Sequence, residues 1–196
     1  VHKMKRLFKA IGVVLCIMVM SFSVGCGITP SPAAVVNAFL DSFQRNDQEG
    51  MKRYSVDGVF GQAFEDMNDP LVSLVMEKAR RINYLTVGES VGGDVAHVTV
   101  TIRTYDFGTA FQNGLSETLN RSIEIGEDEL TEDMINEFLQ EDVMYAFERA
   151  TMNLISSCTI NLVKVNDVWK VDSYSNNADM VDLITGYVTN IIEDLY

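Results

Sequence analysis

The sequence predicts an α+β domain, in which a curved antiparallel sheet packs against helices and a long helical insertion separates two hairpins. Three observations predict it. Apolar residues recur at helical spacing after residue 31, alternate strictly over 94–105, and return to helical spacing after residue 131. Two turn signals, Gly92-Gly93 and Asn166-Asp167, each stand between runs rich in β-forming residues. The composition, 47% hydrophobic and 22% charged over 196 residues, can bury one ordinary core behind a leader.

The leader is expected over 1–25. Lys3, Lys5, Arg6 and Lys9 precede an apolar run at 10–20, and no acid occurs in the first 25 residues. That is the layout of a secretory signal. The uncharged stretch, about 16 residues, is short for a spanning helix of roughly 20. Basic residues before the run and none just after it fit an N-terminus held on the cytoplasmic side. The run ends in Ser23-Val24-Gly25-Cys26, which resembles a bacterial lipobox, with Ser23 where Leu is commonest. The resemblance implies cleavage before Cys26 and a diacylglycerol on its sulfur, with fatty acid such as palmitate. Two acyl chains are what stable anchoring requires. An ordinary secretory signal with a free or paired Cys26, or an uncleaved anchor, would also use these residues. Residues 26–32 then read as a lipidated tether. At roughly 3.3 Å per residue it spans no more than about 20 Å. Cys16 falls in the leader as an apolar filler.

The folded domain is expected over 33–196. Ser31 suits a cap and Pro32 a first helical turn, followed by the stripe Val35, Val36, Phe39, Leu40, Phe43. Asn46-Asp47 and Gly50 punctuate its end. A short helix through Met51 and Tyr54 stops near Gly58. A third helical pattern covers 69–80, with Pro70 in its first turn. Ile82, Tyr84 and Val87 begin a strand that turns at Gly92-Gly93. In the next strand Ala96, Val98, Val100 and Ile102 form one face, and Val95, His97, Thr99, Thr101 and Arg103 the other. In the insertion, Thr131 caps a helix whose stripe is Ile135, Leu139, Val143, Phe147 and Ala150. Its early acids and late Arg149 suit the helix dipole. A second hairpin covers 157–174, and a last helix 178–194.

The opening run 32–40, the Asn46-Asp47 turn and Met51-Lys52-Arg53-Tyr54 resemble the start of nuclear-transport-factor-2-like (NTF2-like, cystatin-like) domains in secreted bacterial lipoproteins. The strand 101–107 and the closing unit 162–171, a strand, a polar turn and Trp169-Lys170, are similar too. The long insertion helix resembles a Firmicutes lipoprotein subgroup. The resemblance implies a cone-shaped α+β fold, shared by isomerases, dehydratases and many non-enzymatic modules, so fold alone does not choose among them.

Chemistry is sparsely written in these residues. His97 is the only histidine after the leader and lies on the polar strand face with no orienting acid in sequence reach. Asp106 follows the strand, where it ends the strand or caps a helix; in an NTF2-like enzyme it would be a base near the cone mouth. The acidic run Glu124, Glu127, Asp128, Glu129, Glu132, Asp133 lacks calcium-loop spacing and reads as a solvated loop and helix start. Most of the ten methionines, Met67, Met76, Met134, Met144, Met152 and Met180 among them, read as packing residues. Cys158 is expected to be a buried thiol and Trp169 a core anchor. No catalytic residue, metal ligand or cofactor is assigned, and no ligand-binding residue is picked out.

The reading favours a non-enzymatic, extracytoplasmic lipoprotein, held on the cell membrane through Cys26, with a binding or structural role in the envelope. The alternative is an extracytoplasmic NTF2-like enzyme, isomerase- or hydrolase-like, with an acidic base in the cone pocket. A cone filled by Phe107, Phe111 or Trp169 would count against the enzyme. Formal charge is −13; without the four leader cations, 11 basic residues face 28 acidic ones, or −17. Such a surface repels nucleic acid. The expected partner is an envelope protein, a peptide or a small ligand. The wide apolar set Val181, Leu183, Ile184, Tyr187, Val188, Ile191 and Ile192 points to burial against the sheet or to a homodimer contact.

Overall fold

The computed structural model describes residues 29–56, 69–126 and 129–188. The leader, Cys16, Cys26, most of the tether, the stop at Gly58, Met67, Glu127, Asp128, Ile191, Ile192 and the end of the predicted last helix lie outside them.

Helix α1, Pro32–Gln44, starts as the sequence predicts. Ser31 Oγ accepts the Ala34 N–H at 3.2 Å, and Pro32 sits in the first turn. Its whole apolar stripe is buried. Asn46 takes a left-handed φ of 56° and reverses the chain. Asp47 then caps α2, Gln48–Tyr54. Gly50 does not punctuate α1; it lies inside α2, where a Cβ would meet the Asp47 carboxylate and the Ser42 hydroxyl at 2.4 Å. Asp69 caps α3, Pro70–Ala79, by accepting from Leu71 and Val72.

Strands β1, Asn83–Gly92, and β2, Val95–Thr104, pair through a turn at Gly93, φ 66°. A bulge interrupts β1 between Thr86 and Gly88. Helices α4, Phe107–Ile125, and α5, Glu132–Arg149, follow. Strands β3, Leu154–Val165, and β4, Val168–Val171, close an open antiparallel sheet of order β1-β2-β3-β4. Asn166 and Asp167, φ 50° and 63°, make the tight turn that suits a right-twisted hairpin. A 3₁₀ turn, Tyr174–Asn176, leads to α6, Ala178–Ile184.

One face of the sheet is fully covered. Ala96, Val98, Val100, Ile102, Ile160, Leu162, Trp169 and Val171 pack against Val36, Phe39, Leu40 and Phe43 of α1 and Met180, Val181, Leu183 and Ile184 of α6. Each large side chain contributes about 1.5–3 kcal/mol by leaving water. A second cluster joins Val75 of α3, Phe107 and Ala110 of α4, Val143 and Phe147 of α5, and Val188.

Three sequence expectations change. The insertion is a helical hairpin: besides the helix expected after Thr131, α4 fills 107–125, a helix that was not placed from the sequence. The α5 stripe is buried only at Val143 and Phe147; Ile135 is exposed, and Arg121 of α4 bridges to Glu141 and Asp142 in the middle of α5. The helix expected over 178–194 is broken: α6 stops at Ile184, Gly186 and Tyr187 are left-handed at φ 61° and 63°, and the chain is helical again at Val188, where the described residues end. Here Gly186 O accepts the Gly108 N–H, and a Cβ on Gly186 would lie 2.2 Å from Tyr105 O. The chain can dock onto the start of α4 only by breaking helical geometry at a glycine. Of the described part of the wide apolar set, Val181, Leu183, Ile184 and Val188 are buried within the fold, whereas Tyr187 is exposed.

Candidate functional site

The base of the α4–α5 hairpin holds a cleft of about 430 Å³, between the start of α4, the end of α5 and residues 150–153. Small residues make the space. Gly114 lets the helices approach until a Cβ there would be 2.8 Å from Val143 Cα, and Ala110, Ala146 and Ala150 leave the flanks open. Polar side chains punctuate a largely apolar wall: Asp106, Asn113, Glu117, Asp142, Arg149 and Asn153 all border the cleft.

Three of these groups, Asp106, Asp142 and Arg149, already have structural work. Asp106 caps α4, its Oδ1 accepting the Thr109 N–H at 2.9 Å and its Oδ2 the Thr109 hydroxyl at 2.8 Å. Asp142 accepts from Arg121 at 2.8 Å and from the Thr118 hydroxyl at 3.0 Å. Arg121 also reaches Glu141 and stacks 3.9 Å from the Phe138 ring centroid, tying the two helices together. Arg149 donates to the Tyr145 hydroxyl at 3.0 Å and lies over that ring.

The last turn of α5 is fixed from behind. Lys78 of α3 donates to Phe147 O at 2.8 Å and Glu148 O at 2.6 Å, and sits 4.9 Å over the Tyr105 ring. Burial, and next the Arg81 cation, push the Lys78 pKa below its ordinary value. The ammonium supplies the charge and donors that the C-terminal carbonyls of a helix lack. The cleft therefore presents Glu117 and Arg149 on a rigid frame with amides at Asn113 and Asn153. That combination can hold a small polar ligand bearing both signs of charge.

The other candidates fall elsewhere. His97 is exposed on the outer sheet face, its Nδ1–H donating to Asn161 Oδ1 at 2.7 Å. Of the acidic run, Glu124, Glu129, Glu132 and Asp133 are exposed, and among the described residues no cluster of acids, histidines and cysteines could hold a metal ion. Cys158 is a buried free thiol; burial, and next the Asp179 carboxylate, push its pKa up to about 11. Trp169 is buried, with the Lys164 ammonium 4.7 Å from its ring centroid. Phe107 is fully buried, stacked on Tyr105 and tilted against Phe147.

Sequence reading brought Asp106 to this site but missed Glu117, Arg121 and Lys78. For α4 a signal existed: Asp106 three residues before Thr109, then Phe107, Ala110, Phe111 and Leu115 at helical spacing. Lys78 offered none, because its partners are backbone atoms about seventy residues away.

The fold and site define an α+β sheet-and-helix domain with a cleft at the base of an inserted helical hairpin. No protein-family model matches the chain, and no curated protein matches it. Among solved structures it is similar to ycdA of Bacillus subtilis, a provisionally assigned lipoprotein, with a TM-score of 0.40 and 12% identity over 78% of this chain and 46% of that one. The chain thus spans about half the length of that protein, and so loose a likeness carries no argument. Among the described residues, no helix is long and apolar enough to cross a membrane.

Proposed function

We propose that the protein is an extracytoplasmic lipoprotein, anchored through Cys26, that binds a small polar ligand without transforming it. The NTF2-like reading of its fold belongs to the same proposal, supported by α1 lying on a covered antiparallel sheet and by the strand, turn and Trp169 unit that closes it. The observation that carries the binding role is the cleft at the hairpin base. The alternative enzyme would place its base at Asp106, and both oxygens of that carboxylate are engaged in capping α4. The interior face where a substrate would enter is occupied by Phe39, Phe43, Met180 and Ile184. Anchoring is supported by the Ser23-Val24-Gly25-Cys26 run.

Two arms test the proposal. In a bacterial host, Cys26→Ser should lose all incorporated palmitate label and stay uncut by the lipoprotein peptidase; unchanged mobility, label and membrane retention would reject lipidation. A thermal-shift screen with amino acids and short peptides should then find a stabilising ligand whose effect disappears in Glu117→Ala or Arg149→Ala. A ligand indifferent to both changes would remove the cleft from the proposal.

A further inference from the structure

The two hairpin turns lie at one end of the sheet, because β1–β2 and β3–β4 are antiparallel pairs and Val95 of β2 stands opposite Val163 of β3. Helix α1 begins at this end. The Ala33 N–H donates to Glu89 Oε2 at 2.7 Å, close to the Gly92-Gly93 turn. Farther along, Thr86 Oγ1 donates to Asn37 Oδ1 at 2.7 Å, and Gln44 Nε2 donates to Ile82 O at 2.6 Å. Helix α1 therefore runs antiparallel to β1, from the hairpin tips back along the sheet. The helical insertion and its cleft leave from the opposite end, beside Thr104 and Leu154. The 10 residues of β2 separate the two ends by about 30 Å.

The tips carry an apolar patch on the outer sheet face. Val95 stands opposite Val163, and Val165 opposite Val168, so the four side chains share one surface. Val95, Val165 and Val168 are exposed and Val163 is half-buried. Next along that face come His97, Asn161, Thr99 and Thr159, all polar. Leu85 and Ile155 are exposed near the far end, but they lie on different strands with Thr101 and Arg103 of β2 between them. Charge divides the same way. Around the tips Glu89, Asp94 and Asp167 meet Lys164 and Lys170, and the Asp94 carboxylate lies 3.8 Å from Lys164 Nζ. Helices α4 and α5 carry eight acidic residues against two basic ones.

We propose that the protein stands on the membrane on its two hairpin tips, with Val95, Val163, Val165 and Val168 set against the lipid interface and the α4–α5 cleft turned to the aqueous side. The proposal rests on the lipid assigned to Cys26. That residue lies six positions before Pro32, so the acyl chains are held within about 20 Å of the start of α1, a reach shorter than the sheet is long. Four valines do not hold an acidic domain on a bilayer by themselves. The tether supplies the effective concentration that keeps them there. Anionic headgroups repel the acidic helices more than the nearly neutral tips and so favour the same pose.

The test uses the full chain, purified with its lipid from a bacterial host, in vesicles of phosphatidylglycerol and phosphatidylcholine. With Cys26 acylated and Cys158 buried, a fluorophore is attached through an added cysteine, Val165→Cys or Ile155→Cys. A nitroxide on the lipid headgroups should quench the fluorophore at position 165 at least about threefold more than at position 155, since roughly 30 Å of strand separates them. Adding Val168→Glu, at an exposed strand end, should at least halve that contrast and leave the melting temperature unchanged. Mass spectrometry of the same sample reads the acyl groups and so tells two failures apart. A chain without them overturns the anchor and this pose with it. An acylated chain quenched equally at both positions, or more at 155, overturns the pose alone, as does a contrast indifferent to Val168→Glu. A fluorophore at 165 shielded from aqueous iodide yet untouched by the lipid nitroxide would give the patch to a second protein molecule and overturn the pose as well.

Discussion

Cys158 sits on the covered face of β3, opposite Val100 and within the field of Asp179. Its thiol, pushed up to about 11, is an acid whose folded pKa exceeds its unfolded value, so the sign of the pH effect follows. The unfolded chain loses the proton first, and folding stability falls as pH rises from about 9 to about 11; below that window it is unchanged. Lys78 works in the opposite direction, because its lowered pKa makes the buried ammonium a cost that is relieved as pH rises towards 10.5. Reagent kinetics separate the two. At pH 8 the native thiol should react with an aromatic disulfide at least about 100-fold more slowly than the same chain in urea, since the thiolate is the nucleophile. Comparable rates would show an open thiol. The free Cys158 thiol is compatible with the lipid proposed for Cys26.

Among the elements, the α4–α5 hairpin depends on one contact between backbones. At Gly114 a side chain meets Val143 Cα, Val143 N and Asp142 O, none of which can rotate aside. Gly114→Val should therefore lower stability by about 1–3 kcal/mol in urea denaturation, as overpacking does. Gly108→Ala, with no atom closer than 3.8 Å, should be neutral or slightly stabilising. An unchanged midpoint for Gly114→Val would mean that the helices do not approach so closely. The same hairpin shows where sequence reading succeeded and where it ended. The hairpin turns, the caps at Ser31 and Thr131, the Pro70 helix start and the alternation of β2 were legible because each is a local rule acting within four residues. Helix α4 was passed over because its polar face, Gln112, Asn113, Ser116 and Glu117, dilutes the apolar spacing that signals a helix. The early end of α6 was hidden because the cause, Tyr105 O beside Gly186, lies eighty residues away in sequence. The cleft was hidden for the same reason: small residues on α4 and α5 become a space only once the helices are paired.

At the scale of the whole molecule, charge and apolar exposure act against each other. A chain beginning at Gly27 carries the −17 without a lipid, and anionic bilayers attract basic segments at about 1 kcal/mol per residue. It should remain in the supernatant with anionic vesicles at low salt in chelator. Sedimentation with them would mean an exposed apolar patch strong enough to overcome the charge. The first suspect would then be α4, where Leu119 and Ile123 are 63% and 78% exposed, since the described apolar residues of α6 are buried.

The inserted hairpin also has a kinetic consequence. It leaves the sheet after Thr104 and returns before Leu154, and the Asp106 N–H to Thr151 O bond closes its neck at 3.3 Å. The central β2–β3 ladder therefore spans an intervening segment of some fifty residues, a slow closure for a bare chain. Antiparallel helices form within microseconds and carry their two ends back to one point. Once α4 and α5 have paired, the two strands are separated by a few effective links, which reduces the entropy of closing the ladder by about 2 kcal/mol. The segment that interrupts the sheet in sequence is thus the one that brings its two central strands within reach of each other.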